Sequence, residues 1–148
     1  MTDDERSTRQ VLEQNEAFYA AFNARDVDAM AAVWAEESPC ACLHPSSPPI
    51  HGRASVLRSW FQILSNPDTP IVACMRSEMR RYGNTVVVDC YERASGRRDE
   101  QRTIAVLAAT NVFVLERGEW RLVHHQSAPI AEGDGMDDAP HLDPRVLN

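Results

Sequence analysis

The chain has 148 residues, enough for one domain with its own core, and no apolar run near the roughly 18 residues needed to span a bilayer. Its net charge of −7 sits at the ends: residues 1–16 hold five acids against two arginines, 132–148 five against one, and 17–131 balance twelve with twelve. That distribution leaves no basic face for nucleic acid, and the acidic ends are expected to serve solubility.

The opening Met-Thr-Asp-Asp-Glu-Arg lacks a basic region followed by an apolar one. A cytoplasmic protein without a membrane partner is therefore expected. All fifteen Lys-or-Arg positions are Arg, a usage that fits a GC-rich bacterium. Four cysteines (Cys40, Cys42, Cys74, Cys90) are too few for a disulfide framework in a chain this long. Cys40, Cys42 and His44 alternate on one strand face as Cys-x-Cys-x-His. A metal site needs three or four converging ligands, and no second Cys/His cluster stands at a supporting spacing. Reduced thiols acting as small apolar groups are the preferred reading, with no metal and no other cofactor.

In chain order, Asp3–Ala24 reads as a long helix, with acids in its first turn suiting the positive end of the dipole. Val11, Asn15, Phe18 and Phe22 recur at helical spacing, with Leu12 and Tyr19 beside them. After the turn at residues 23–26, Asp26 caps a second helix through about Ala35, with Val27, Met30, Ala31 and Trp34 on its apolar side. Residues 40–44 form a short strand stopped by Pro45. Gly52 opens a third helix over 53–64, with Val56, Leu57, Trp60, Phe61 and Leu64 on its inner side. From Ile71 the period becomes two, giving strands at 71–82, 85–93, 102–115 and 119–127 joined by Gly-containing hairpins. Three helices followed by an antiparallel meander make an α+β fold, the helices covering one face of a curved sheet. Residues 131–148 read as an acidic tail.

The motifs Asn23-Ala-Arg-Asp-Val-Asp28, Trp34, His44-Pro45, Gly52-Arg53, Ser59-Trp60, Ala109-Thr-Asn-Val-Phe113 and Trp120-Arg-Leu-Val-His-His-Gln-Ser127 follow one another in an order that resembles the SnoaL-like branch of the nuclear transport factor 2-like superfamily. The resemblance covers roughly residues 8–130 and implies one SnoaL-like domain over 1–130. It implies a cone-shaped fold with a pocket between helices and concave sheet, and homodimers paired through their sheets. Activities across the superfamily include proton transfer, polyketide cyclisation, dehydration, epoxide hydrolysis and plain association, so the fold does not choose among them.

The same resemblance assigns roles. His44-Pro45 matches the Asp-Pro whose carboxylate shuttles protons in isomerase-like members, and an imidazole can do that work. The bland alternative is a histidine capping a strand end. The isomerases' helix tyrosine matches Phe18, with Tyr19 turned about 100° away, and Asn111 stands where their sheet acid would be. Ketosteroid isomerase chemistry is therefore not expected. Cyclases of this branch use an aspartate where this chain has His-Gln-Ser, so that chemistry is not expected either.

In the closing strand, alternation groups Trp120, Leu122, His124 and Gln126 against Arg121, Val123, His125 and Ser127. Parity alone does not say which group faces the pocket. Resemblance to the association domain of calmodulin-dependent kinases places His125, Ser127 and Asn111 inside, and Trp120, Leu122 and His124 toward a second subunit. Phe18, Tyr19, Trp34, Trp60 and Cys90 complete the expected lining, although a Trp more often belongs to a core and His125 could be a satisfied core histidine. The functional expectation is a small organic ligand in the pocket, with cofactor-free acid–base catalysis (isomerase, cyclase or dehydratase type) by His44 and His125. The alternative is a non-catalytic homodimeric sensor or association module.

Overall fold

A computed structural model describes residues 1–131, and the segment read as an acidic tail, 131–148, lies outside the described residues from 132 on. Helix α1 (Asp3–Ala24) starts at a capping box: Glu5 N–H donates to Thr2 Oγ1 at 3.1 Å, and Thr2 N–H donates to Glu5 Oε2 at 3.1 Å. Val11, Asn15, Phe18 and Tyr19 are its buried stripe, while Leu12 stays exposed.

Helix α2 (Val27–Val33) is capped by Asp26 and ends two residues earlier than expected, because Trp34 turns extended and bridges to Leu122. Arg53 then satisfies its C-terminal end, donating to the carbonyls of Ala31, Trp34 and Ala35 at 3.1, 2.7 and 3.0 Å. Strand β1 (Ala41–Leu43) is followed by a two-residue strand, β2 (Ile50–His51), too short to read from periodicity. Gly52, at φ 89°, opens α3 (Arg53–Ser65) in a conformation that suits glycine.

Strands β3 (Ile71–Tyr82), β4 (Thr85–Ser95), β5 (Thr103–Glu116) and β6 (Glu119–Pro129) form the expected meander. The six-stranded sheet runs β2-β1-β6-β5-β4-β3, with β1 parallel to β6. Three helices on this curved sheet make the cone-shaped α+β fold of the nuclear transport factor 2-like proteins.

The β5–β6 register breaks once. Val112 pairs with His124 but Phe113 pairs with Leu122, so Val123 is an extra residue in a bulge. The bulge reverses parity midway along β6. Trp120 and Leu122 before it, and His125 and Ser127 after it, all point to the helix side and are buried. This corrects the expected strand faces. Trp120 and Leu122, at 2% and 0% exposure, belong to the core and have no surface to give a second subunit; of that trio only half-buried His124 stays on the opposite face.

The Asn23–Asp28 motif fastens the chain at the cone's mouth. Asn23 pairs with both the N–H and the carbonyl of Val72, each at 2.8 Å. Arg25, in the left-handed conformation that ends α1, sends its guanidinium to the carbonyls of Leu64, Asn66, Pro67 and Thr69. Arg25→Ala is expected to destabilise the fold by about 2 kcal/mol through loss of these charge-assisted bonds. Denaturant unfolding measures this, and a variant as stable as the parent would refute the clamp.

Candidate functional site

Between α1, α3 and the inner sheet face lies a cavity of about 220 Å³. Its walls are mostly apolar: Phe18 and Phe22 from α1, Trp60 and Ile63 from α3, Val72 from β3 and Leu107 from β5. Pro45, Thr69 and Pro70 come from loops, the last two from the segment clamped by Arg25. The polar lining is His44, His125, Glu92, Tyr19 and Ser127.

His125 stands opposite Asn111 on β5, and its Nδ1 lies 2.6 Å from Asn111 Oδ1. Asn111 Nδ2 donates to Asn15 Oδ1 at 2.9 Å and Tyr19 Oη at 3.2 Å. The amide orientation is thus set from both ends, and Nδ1 carries the His125 proton. The other nitrogen, Nε2, has no hydrogen-bond partner among the described residues. Burial, then the neighbouring His44 and His124, lowers the His125 pKa to about 3, so the ring is neutral at physiological pH. Phe18 and Trp60 hold it, with ring centroids 4.8 and 5.8 Å away.

His44 leaves β1 beside the same tryptophan, 4.8 Å between centroids and nearly perpendicular to it. Its Nε2 lies 2.9 Å from Ser59 Oγ, and that hydroxyl donates its only hydrogen to Val56 O at 2.6 Å. His44 Nε2 is therefore the donor, and Nδ1 is unprotonated. Cys42 Sγ lies 3.8 Å from Nδ1 and 3.7 Å from Nε2, so its thiol is a long, weak partner for the unprotonated Nδ1. Burial lowers the His44 pKa from its ordinary value.

Glu92 is the residue that sequence reasoning passed over. It is 5% exposed, and it accepts the hydroxyls of Tyr19 (at Oε2) and Ser127 (at Oε1), both at 2.6 Å. Ser127 pairs with Ala109 and Ala109 with Cys90, so Ser127 reaches diagonally across β5 to Glu92, two residues beyond Cys90 on β4. Burial raises the Glu92 pKa, and the two donated hydroxyls oppose that shift. A sheet carboxylate is thus present, two places along from Cys90, where none was expected. Its signal was available: an acid in the inward register of Val86, Val88, Cys90 and Ala94. Tyr19 lies in the cavity beside Phe18, because the curved sheet wraps far enough around α1 to meet both positions.

Of the expected lining, Phe18, Tyr19, Trp60 and Ser127 meet His44 and His125 at the cavity. Trp34, Cys90 and Asn111 do not. Trp34 is fully buried against Leu122, Asn111 lies beneath His125, and Cys90 Sγ sits 3.3 Å behind the Tyr19 hydroxyl. Burial and Glu92 push the Cys42 thiol up to about 12, which keeps it protonated. Cys40 is directed to the carbonyls of Ala35 and Ser38 instead of toward Cys42 and His44.

This fold and this apolar cone with a polar floor define a class. The SnoaL-like domain model matches residues 11–131, and the chain belongs to that family. Among solved structures it is similar to a candidate dehydratase of the nuclear transport factor 2-like family from Streptomyces avermitilis, at 26% identity and TM-score 0.77, covering 87% of this chain and 99% of that one. It is also similar to a candidate calcium/calmodulin-dependent protein kinase type II association domain from Thiobacillus denitrificans, at 32% identity and TM-score 0.71, covering 80% and 93%. Among curated proteins it is 26% identical over 125 residues to the F-box protein SKIP8 of Arabidopsis thaliana. That match takes in 82% of this chain, which spans half (50%) the length of that protein. No helix among the described residues is long and apolar enough to cross a membrane.

Proposed function

We propose that residues 1–130 form one SnoaL-like domain that binds a small organic molecule in the cone cavity and acts on it by cofactor-free acid–base chemistry. One observation carries the reading. His44 and His125 line the same apolar cavity, each with one nitrogen anchored by a side chain; among the described residues His125 Nε2 has no partner, and His44 Nδ1 has only the long contact of the Cys42 thiol at 3.8 Å. A structural histidine uses both nitrogens; a shuttling one keeps a lone pair for the ligand. Both rings are neutral at physiological pH, so both act first as proton acceptors. Tyr19 gives its hydrogen to Glu92, which leaves no tyrosine donor aimed at a ligand oxyanion and argues against the ketosteroid isomerase route. Dehydration suits the pair better, in keeping with the assignment of the Streptomyces relative: one imidazole lone pair takes a carbon-bound proton, the C–O bond breaks as the double bond forms, and the imidazolium returns that proton to the departing hydroxyl, which leaves as water.

The test is a ligand-observed NMR screen of neutral one- and two-ring compounds against the wild type, His44→Ala and His125→Ala. Each variant is expected to bind hits about tenfold more weakly, the worth of one good hydrogen bond. Unchanged binding and turnover in both variants would sink the reading.

A second reading, a non-catalytic association module, is favoured by the likeness to the Thiobacillus association domain. Under either reading we place a homodimer contact on the outer sheet face. Half-buried Val87, Val112 and His124 lie on that face, which also carries a shallow trough lined by Glu78, Asp89, Tyr91, Ala108, Thr110 and Ala128. Sedimentation equilibrium separates the parts: a monomer removes the dimer, and a dimer that binds no hit from the screen favours the module.

A further inference from the structure

We propose that the cavity is an acceptor-only site, suited to an uncharged alcohol or phenol on one or two rings and closed to carboxylates, phosphates and ligands that only accept hydrogen bonds. The proposal rests on small-molecule binding at this cavity and adds the class of molecule.

The argument is an account of hydrogens. A hydroxyl has one to give, and each lining hydroxyl has given it to the protein: Tyr19 and Ser127 to Glu92, and Thr69 to the carbonyl of Ile63, all at 2.6 Å. The Trp60 indole N–H has no hydrogen-bond partner among the described residues, and its nitrogen is fully buried, with almost no surface turned to solvent or cavity. A neutral imidazole also has one N–H. That of His125 goes to Asn111, and that of His44 goes to Ser59, whose own hydrogen is committed to Val56. What remains for a ligand, among the described residues, is acceptors: the His125 Nε2 lone pair, that of His44 Nδ1 beside the Cys42 thiol, and the lone pairs left on the Glu92 carboxyl group and the lining hydroxyl oxygens.

Charge acts in the same direction. Among the described residues the lining holds one carboxyl group, Glu92, and no arginine, although arginine supplies every Lys-or-Arg position of the chain. Arg25 and Arg53, near the mouth and the neighbouring helix end, spend their guanidinium hydrogens on backbone carbonyls. An anion entering the cavity loses its water and meets only lone pairs and a carboxyl group. A ketone or ether meets the same lone pairs, whereas a hydroxyl hydrogen satisfies one of them. The volume, about 220 Å³, lies below that of sites for drug-sized ligands and suits a compact ring system.

Three probes of matched shape separate the possibilities: 1-naphthol, 1-methoxynaphthalene and 1-naphthoate, titrated at neutral pH into the full chain carrying ¹⁵N-labelled histidine. We expect 1-naphthol to bind at least about tenfold more tightly than the methyl ether, because an unpaired buried acceptor costs the whole bond. It should shift the His125 Nε2 resonance, and 1-naphthoate should leave the ring resonances unmoved. A methyl ether bound as tightly as 1-naphthol, or a naphthoate bound more tightly, overturns the acceptor-only selectivity while leaving small-molecule binding intact. If none of the three moves a cavity resonance, the selectivity and the binding reading fall together.

Discussion

Replacing Glu92 with leucine is expected to cost about 3 kcal/mol of folding stability, because it strands two buried donors at once. The Tyr19 and Ser127 hydroxyls both end on this carboxyl group, and neither has another oxygen acceptor among the described residues. A leucine fills much of the same space, so the loss reports the hydrogen bonds more than a cavity. For a chain of this length the melting temperature should fall by roughly 6–12 °C. Glu92→Gln keeps an acceptor and fits the same hydroxyls after they rotate, so it is expected to cost only about 1 kcal/mol. Thermal unfolding of both variants is the measurement. If Glu92→Leu matched the wild type, the carboxyl group would not be the anchor of this network.

The second large effect is acid sensitivity. Folded His125 stays neutral down to about 3, whereas its unfolded counterpart takes up a proton near 6.5. Between those values the unfolded state binds more protons, so stability falls as pH is lowered from about 6.5 toward 3. The loss is at most about 1.4 kcal/mol per pH unit for this one group. Glu92 works the other way, since its raised pKa lets the folded state take a proton first as pH drops. His44 and His124, both lowered by burial, add to the acid loss. His125→Gln retains a donor for Asn111 and does not titrate. Urea unfolding between pH 7 and 4 should give the wild type the steeper decline, with the two stabilities converging or crossing as the solution is acidified. Parallel declines would mean that His125 is reached by protons in the folded state.

The limits of sequence reading follow from particular residues. The helix and strand spans were legible because α1 and β3–β6 repeat their apolar positions at 3.6 and at two over many residues. Strand β2 was not, since two residues contain no period. The Asn23–Asp28 motif was recognisable as a pattern, and one of its physical roles was local: Asp26 caps the helix that follows it. The partners of Asn23 and Arg25 lie about 40 to 50 residues away, at Val72 and on the α3–β3 loop, and no local pattern names them. Likewise Ser59 appeared only as part of a motif. Its role as the anchor of the His44 tautomer needs α3 and β1 side by side.

By itself, then, the sequence determined the α+β layout, the order of the elements and the family, because all of these rest on local periodicity and on motifs in a fixed order. The tertiary structure alone decided what those residues face. One extra residue at Val123 reverses strand parity, sending Trp120 and Leu122 into the core beside His125 instead of toward a partner. Sheet curvature brings Tyr19 onto Glu92, and so converts a tyrosine that looked misplaced and an acid that looked incidental into the floor of the site. The physical reason is the same in both cases. A bulge and a curved sheet are properties of paired strands, and pairing energies depend on residues far apart in the chain.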